Sequence, residues 1–248
     1  MGGAPDIVVA GGRVVLADET RQADIAVKDG RIQALGLPGN FSPAGETIDA
    51  AGKLVMPGLV DSHVHIRWPF LNDVTRDDHY TGTVAAALGG TTTIIDFALD
   101  PRGTPPEAVR ARRTQMDGSA AVDYALTASI PKADPAHLGA MGPLADEGIA
   151  AFKAYMTYRK RGILVDDAAL YRILLASKET GRLLGVHAEN AAVGEYYEAK
   201  HLSEGKREAK YWPRCHPNFS EAEAVNRAMF LAGSAGAGLL VRHITNME

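Results

Sequence analysis

Residues 54–69 read LVMPGLVDSHVHIRWP, an apolar run that closes on His63, one intervening residue and His65. On a β-strand, residues two apart leave the same face, so both imidazoles point together. The run before them, 54–60, is apolar apart from Pro57 and Gly58. It is expected to form a strand covered on both sides, as in a parallel sheet. Neutral imidazole is a common metal ligand, so two at one strand's end supply half of a metal site. An isolated pair of this kind is more often two histidines in a solvent-facing turn. Three further strand-like runs, each carrying one candidate ligand, shift the balance toward a site.

Downstream of this stretch the texture is strand, loop and helix, repeated. A helix over 77–88 is ended by Gly89-Gly90, and the β-branched run 91–97 makes a second strand. Pro105-Pro106 open a helix that Gly118 ends, with Arg110, Arg112 and Arg113 on a solvated face. A third strand over 122–130 precedes a weak helix at 135–147, interrupted by Gly139, Gly142 and Pro143. The fourth strand covers 149–156. Asp166 or Asp167 caps a helix on which Leu170, Ile173, Leu174 and Ser177 share a face, and Gly181 ends it. The fifth strand is 183–188, and the charged segment 190–210 is helix-prone. Ser220 and Glu223 form a capping box for a helix reaching Leu231, and 239–244 is the sixth strand.

Six strands alternating with five or six helices indicate parallel βα units in an α/β fold. A (β/α)8 TIM-type barrel takes roughly 250 residues, so about six of its eight units are expected over residues 53–248. An open doubly wound sheet is the alternative, but no glycine-rich phosphate loop follows the first strand. The first fifty residues differ in kind. Short strands at 7–10, 13–16, 24–27 and 31–35 are separated by Gly11-Gly12, the polar stretch 18–22 and Asp29-Gly30, a strong hairpin signal. Residues 1–52 are thus a small N-terminal β-module.

Composition narrows the function classes. The 248 residues are 46% apolar and 23% charged, with a net charge of -4 and scattered basic residues, so neither nucleic acid nor an acidic membrane surface is indicated as a partner. A single cysteine, Cys215, cannot staple the fold, and a reducing cytoplasm is its simplest home. No apolar run approaches the roughly 20 residues of a membrane span.

In α/β barrels and open sheets alike, ligands gather at the C-terminal ends of the strands. His63, His65, Lys153, His187 and His243 all fall there. Lys153 is flanked by apolar residues, where an unpaired ammonium is costly. Either its stem packs and its head reaches solvent, or its amine is neutral, serving as a base or as a carbamate made with carbon dioxide.

PGLVDSHVHI at 57–66, GGTTTIIDF at 89–97, FKAYMTY at 152–158, GVHAEN at 185–190 and LLVRHIT at 239–245 together resemble the cyclic amidohydrolases. The match is to the dihydropyrimidinase/hydantoinase group of the metal-dependent amidohydrolase superfamily, in order along essentially the whole chain. The resemblance implies two divalent metal ions, zinc foremost, although histidine and carboxylate ligands suit zinc, manganese or cobalt. His63 and His65 would bind the first, His187 and His243 the second, and an N6-carboxylated Lys153 would bridge them. It implies that Tyr158 donates a hydrogen bond to the developing oxyanion, that the substrate is a small cyclic amide such as a dihydropyrimidine or a 5-substituted hydantoin, and that the full-length protein is a homotetramer. Two adjacent cations acidify a bridging water, and the resulting hydroxide attacks the ring amide carbon. Allantoinase and dihydroorotase are alternatives within the class, and a non-catalytic relative or an inactive fragment lies outside it.

Two departures accompany the resemblance. The family's proton-shuttling aspartate follows a later strand, beyond His243, as do the strands that complete the β-module, so an N-terminal fragment is expected. If the chain ends at Glu248, the expectation is no turnover and exposed sheet edges. Arg67 matches an arginine with which dihydroorotases bind a substrate carboxylate, whereas Trp68-Pro69-Phe70 resembles a hydrophobic loop of hydantoinases. Arg67 is therefore either a substrate-binding residue or a solvent-facing one.

Overall fold

The computed structural model describes residues 3–41, 44–70 and 73–247, with no side-chain account of Phe70. The chain forms two compact units, Met1–Leu59 and Val60–Glu248.

The first unit is a mixed five-stranded sheet. Strand β1 (Ile7–Val15) pairs antiparallel with β2 (Thr20–Lys28), which pairs with β3 (Arg31–Gly36); β4 (Glu46–Asp49) and β5 (Leu54–Val55) run parallel to β1. The two strands expected at 7–10 and 13–16 are one strand, whose register shifts at Gly11-Gly12. Gly11 takes φ 71, a conformation glycine adopts without penalty, and its N–H donates to Asp24 Oδ1 at 2.7 Å. Asp29 and Gly30, with φ of 49 and 70, form the two-residue turn between β2 and β3, both in the left-handed region that a type I′ hairpin turn requires. Val14, Ala23 and Ile25 are the buried centre of this unit.

The apolar run 54–60 does not form one covered strand. Leu54 and Val55 join the first sheet as β5, Pro57 removes a donor, and strand β6 (Leu59–Val64) begins only after Gly58. Leu59 and Val60 are more than half exposed.

In the second unit β6 is followed by a small hairpin, β7 (Pro69–Phe70) and β8 (Asp73–Val74), and then by alternating helices and strands. Helix α1 (His79–Leu88) is capped by Asp78, whose carboxylate accepts from Thr81 N while the Thr81 hydroxyl accepts from Asp78 N. Strand β9 (Thr91–Ala98), helix α2 (Pro105–Met116) and strand β10 (Asp123–Ser129) follow. The interrupted helix at 135–147 divides at Ala140 into α3 (Pro135–Gly139) and α4 (Met141–Asp146). Strand β11 (Ala151–Tyr155) is buried throughout, and α5 (Asp167–Thr180) buries Leu170, Ile173, Leu174 and Ser177. Strand β12 (Leu184–His187), α6 (Ala191–Ser203), α7 (Asn218–Ala235) and β13 (Leu239–Val241) complete the described elements. Helix α7 starts before the expected capping box. Pro217 is its N-cap, Ser220 is already buried inside it, and Glu223 binds Asn190 and Arg227 instead. Ala224, Ala228, Ala232 and Ala235 are its buried face.

The six strands run in the order β13-β12-β11-β10-β9-β6. Five inter-strand steps of about 4.8 Å would separate the outer strands of a flat sheet by roughly 24 Å. Yet the rings of His63, on β6, and His243, just past β13, lie 5.3 Å apart. The sheet is therefore curled, with its outer strands facing each other across a common interior, as in part of a (β/α)8 barrel. Arg242 spans that interior: it is buried, its guanidinium lies 5.7 Å over the Phe97 ring, and Nη1 donates to the Ser62 carbonyl at 3.0 Å. Gly185 leaves room for it, since a Cβ there would sit 3.1 Å from Arg242 Nε and 3.4 Å from the Phe152 carbonyl.

Candidate active site

The curl brings His63, His65, Lys153, Tyr158, His187 and His243 to one cavity of about 350 Å³. The Nε2 atoms of His63 and His65 are 3.2 Å apart, which verifies the same-face geometry of residues i and i+2. The rings of His187 and His243 are 4.4 Å apart. Phe97 is fully buried beneath this group, with both the His63 and His65 rings 4.7 Å from it.

Lys153 sits in the middle of β11, 1% exposed, and its Nζ has no hydrogen-bond partner among the described residues. Its stem does not carry the head to solvent. Burial, with the Arg242 charge added, pulls the amine down to about 7, so the neutral form is well populated near neutral pH. Desolvation, then the Lys153 charge, lowers His63 to about 3 and His65 to about 4. Desolvation, then the His187 and Lys153 charges, brings His243 to about 4. These three imidazoles are accordingly neutral, with a lone pair to offer.

Among the described residues no three His, Cys, Asp or Glu side chains are grouped to hold an ion as they stand. The donors are imidazoles with a buried amine among them.

Tyr158 adopts φ 65 and ψ 40, an uncommon conformation for a bulky residue. Its hydroxyl is 3.5 Å from His187 Nδ1. Burial, and secondly the Glu189 charge, raises its pKa, keeping the phenol protonated as a donor. The opposite ring nitrogen, His187 Nε2, is 3.3 Å from Glu189 Oε2, and Oε1 of Glu189 accepts from His216. Burial pushes the Glu189 carboxyl up, but these bonds to His187 and His216 and their charges outweigh it, leaving it at about 2.

Among the described residues Arg67 does not line this cavity. Its backbone takes φ 48, and its N–H donates to the Asp77 carbonyl. The cavity's arginine is Arg161, whose guanidinium lies 5.4 Å over the Tyr158 ring and donates to the Pro69 carbonyl. Sequence reasoning missed it, because it follows Tyr158 in a basic triplet that reads as a surface turn. Arg112 was expected on a solvated face and is buried instead. It donates to the carbonyls of Phe97 and Ile66, each at 3.1 Å, and meets His79 Nε2 at 2.9 Å. Its Nε is 3.5 Å from Asp96 Oδ2. Burial pushes Asp96 up to about 6 even though Arg112 and the Phe97 N–H pull it down. This network ties the segment after His65 to β9, α1 and α2.

A curled parallel sheet carrying His-x-His at the end of one strand and single histidines at or just past the ends of two later ones is an α/β scaffold with imidazoles gathered at its strand ends. Residues 54–211 match the amidohydrolase family, and the chain belongs to it. It is 39% identical to a D-hydantoinase of Rhizobium radiobacter over 98% of this chain and 53% of that protein. It is 36% identical to the dihydropyrimidinase of Rattus norvegicus over 96% of this chain and 47% of that one. A solved D-hydantoinase structure superposes with a TM-score of 0.93 at 38% identity, covering 97% of this chain and 52% of the other. The chain thus spans about half the length of the curated relatives it matches. No helix among the described residues is long and apolar enough to cross a membrane.

Proposed function

We propose that this chain carries the metal-binding part of a cyclic amidohydrolase that opens a dihydropyrimidine or hydantoin ring by hydrolysis of its amide C–N bond. The observation that carries the reading is Lys153: a buried amine with no hydrogen-bond partner among the described residues, among four histidines of which three are held neutral. A neutral amine attacks carbon dioxide, forming an N–C bond and releasing a proton from nitrogen to water. The product is a carboxylate on a long arm, the third donor that each histidine pair lacks. His63 and His65 would then hold one divalent cation, His187 and His243 the other, with carboxylated Lys153 common to both. Imidazole and carboxylate donors suit zinc. When bound, such cations polarise an amide carbonyl and acidify water.

The remaining work falls to the protein. Tyr158 donates its O–H toward the oxygen that gains charge, from a backbone that holds it at the cavity wall. Phe97 and Trp68 exclude water from one side of the imidazoles, keeping them unprotonated. One observation favours a second reading, a substrate bearing a carboxylate as in dihydroorotases: Arg161 presents a guanidinium beside Tyr158. A reducing cytoplasm and a homotetrameric whole protein belong to the same proposal; the free, buried Cys215 supports the first.

The test is metal analysis and intact mass of the chain prepared with bicarbonate and zinc. Two zinc ions and the added mass of one carbon dioxide are expected, both lost in Lys153→Ala. Full zinc occupancy in that variant would refute the bridging role. Ring opening of hydantoin, dihydrouracil and dihydroorotate by the whole protein would then rank the substrate readings.

A further inference from the structure

An imidazole offers a lone pair from one ring nitrogen only while the other carries the proton. His187 has a different polar partner on each side. Nε2 is 3.3 Å from the carboxylate of Glu189, and Nδ1 is 3.5 Å from the hydroxyl of Tyr158. An ionised carboxylate only accepts, so the contact to Glu189 requires the proton on Nε2. A tyrosine hydroxyl can donate, so in the metal-free chain the other contact is satisfied by an unprotonated Nδ1; an ion bound there would take that lone pair and release the Tyr158 O–H.

Glu189 is itself held. Its second oxygen accepts from Nδ1 of His216, whose ring packs 4.8 Å from that of Trp212. The next residue, Asn190, caps α6 by accepting from Val193 N, which fixes the backbone at this turn. Its side chain also donates to Glu223 on α7. The carboxylate is only 15% exposed. It is therefore presented to His187 from a fixed position.

We infer that Glu189 and His216 form a positioning pair that holds His187 in the Nε2–H tautomer and presents Nδ1 to the cavity as its ligand atom. His216 acts through Glu189, and both line a pocket with Tyr158, His187 and His243. Partners of this kind fix a ring's orientation and raise its basicity. The inference rests on the reading of His187 as a metal ligand.

The experiment has two arms on the 248-residue chain. In the first, 15N-histidine NMR of the metal-free protein reads the tautomer of His187, assigned with His187→Gln. The Nε2–H form is expected in the wild type and a mixed population in Glu189→Leu. An Nδ1–H form in the wild type, or an unchanged tautomer in Glu189→Leu, overturns the inference whatever metals do. In the second, zinc affinity is measured by competition with a chromophoric chelator. Glu189→Leu and His216→Leu should weaken it about 10–100-fold, and His216→Asn, which keeps an N–H donor, should recover most of the loss. A packing role alone would move neither the tautomer nor the rescue. If His187→Gln binds zinc as the wild type does, the ligand reading fails while the tautomer assignment stands. If only His187→Gln loses zinc, the positioning pair is refuted.

Discussion

Replacing Lys153 with methionine should stabilise the metal-free chain, because the amine is buried over the Phe97 and Tyr155 rings with no hydrogen-bond partner among the described residues. The lysine falls from its ordinary 10.5 to about 7 on folding. A basic group with a lowered folded value binds fewer protons in the native state, so stability rises with pH between the two values. The linkage relation gives a cost of about 4 kcal/mol at pH 7, falling to about 2 kcal/mol at pH 9. Methionine fills a similar volume without a charge, so Lys153→Met should recover several kcal/mol at pH 7 in the presence of a chelator. The decisive quantity is a double difference. Urea unfolding of both proteins at pH 7 and pH 9 should show the wild type gaining about 2 kcal/mol more than the variant over that interval. His63, His65 and His243, which the Lys153 charge lowers further, are neutral across that interval in the wild type and do not contribute there, and the groups remote from Lys153 are common to both. With zinc and bicarbonate the order should reverse, since on the proposed reading only the wild type would gain a carboxylate able to bind metal. Equal pH dependence in the two chelated proteins would refute the neutral, partnerless lysine.

Three further outcomes follow from the same geometry. Tyr158→Phe should lower kcat of the whole protein by about 10²–10³-fold, the loss typical of one oxyanion donor, with metal content unchanged; an unchanged kcat would make Tyr158 a packing residue. Arg112→Met should destabilise the chain by about 3–5 kcal/mol, because it strands buried Asp96. Asp96 already has a raised pKa, so the loss should be smaller below pH 4 and grow as pH rises through about 6, read by urea unfolding across that range. Gly185→Ala should cost about 1–3 kcal/mol from overpacking against Arg242 and Phe152, measured the same way.

Residues whose placement was legible in advance share a property: their meaning depends on neighbours in sequence. His63 and His65 share a face because strand geometry has period two, and Lys153 stands out because the residues around it are apolar. Asp29-Gly30 specifies its turn within two residues. The misread positions depend on the sheet's curl or on which sheet claims a strand. Nothing in Leu54-Val55 says that it pairs with β1. Arg112 belongs to a basic-rich helix whose buried side is set by the carbonyls of Phe97 and Ile66. Arg161 and His216 reach the cavity region only because β11 and α6 bring their following loops to the same end of the sheet.

The bond from Arg242 to the Ser62 carbonyl joins residues 180 positions apart. Closing a loop of that length must be paid in chain entropy before the contact gives anything back. Local pairs such as β11 with β12, or α5 against α7, carry far shorter loops and need not wait for it. Ser62 and Arg242 are each one residue from a cavity histidine, so the same late closure sets the distance between the two histidine pairs. A folding intermediate with β13 undocked would contain the strands that carry His63, His65, Lys153 and His187, three of the four imidazoles, yet would lack His243. On the proposed reading, capture of an ion by His187 and His243 would report the docking of β13, and zinc uptake during refolding would time it.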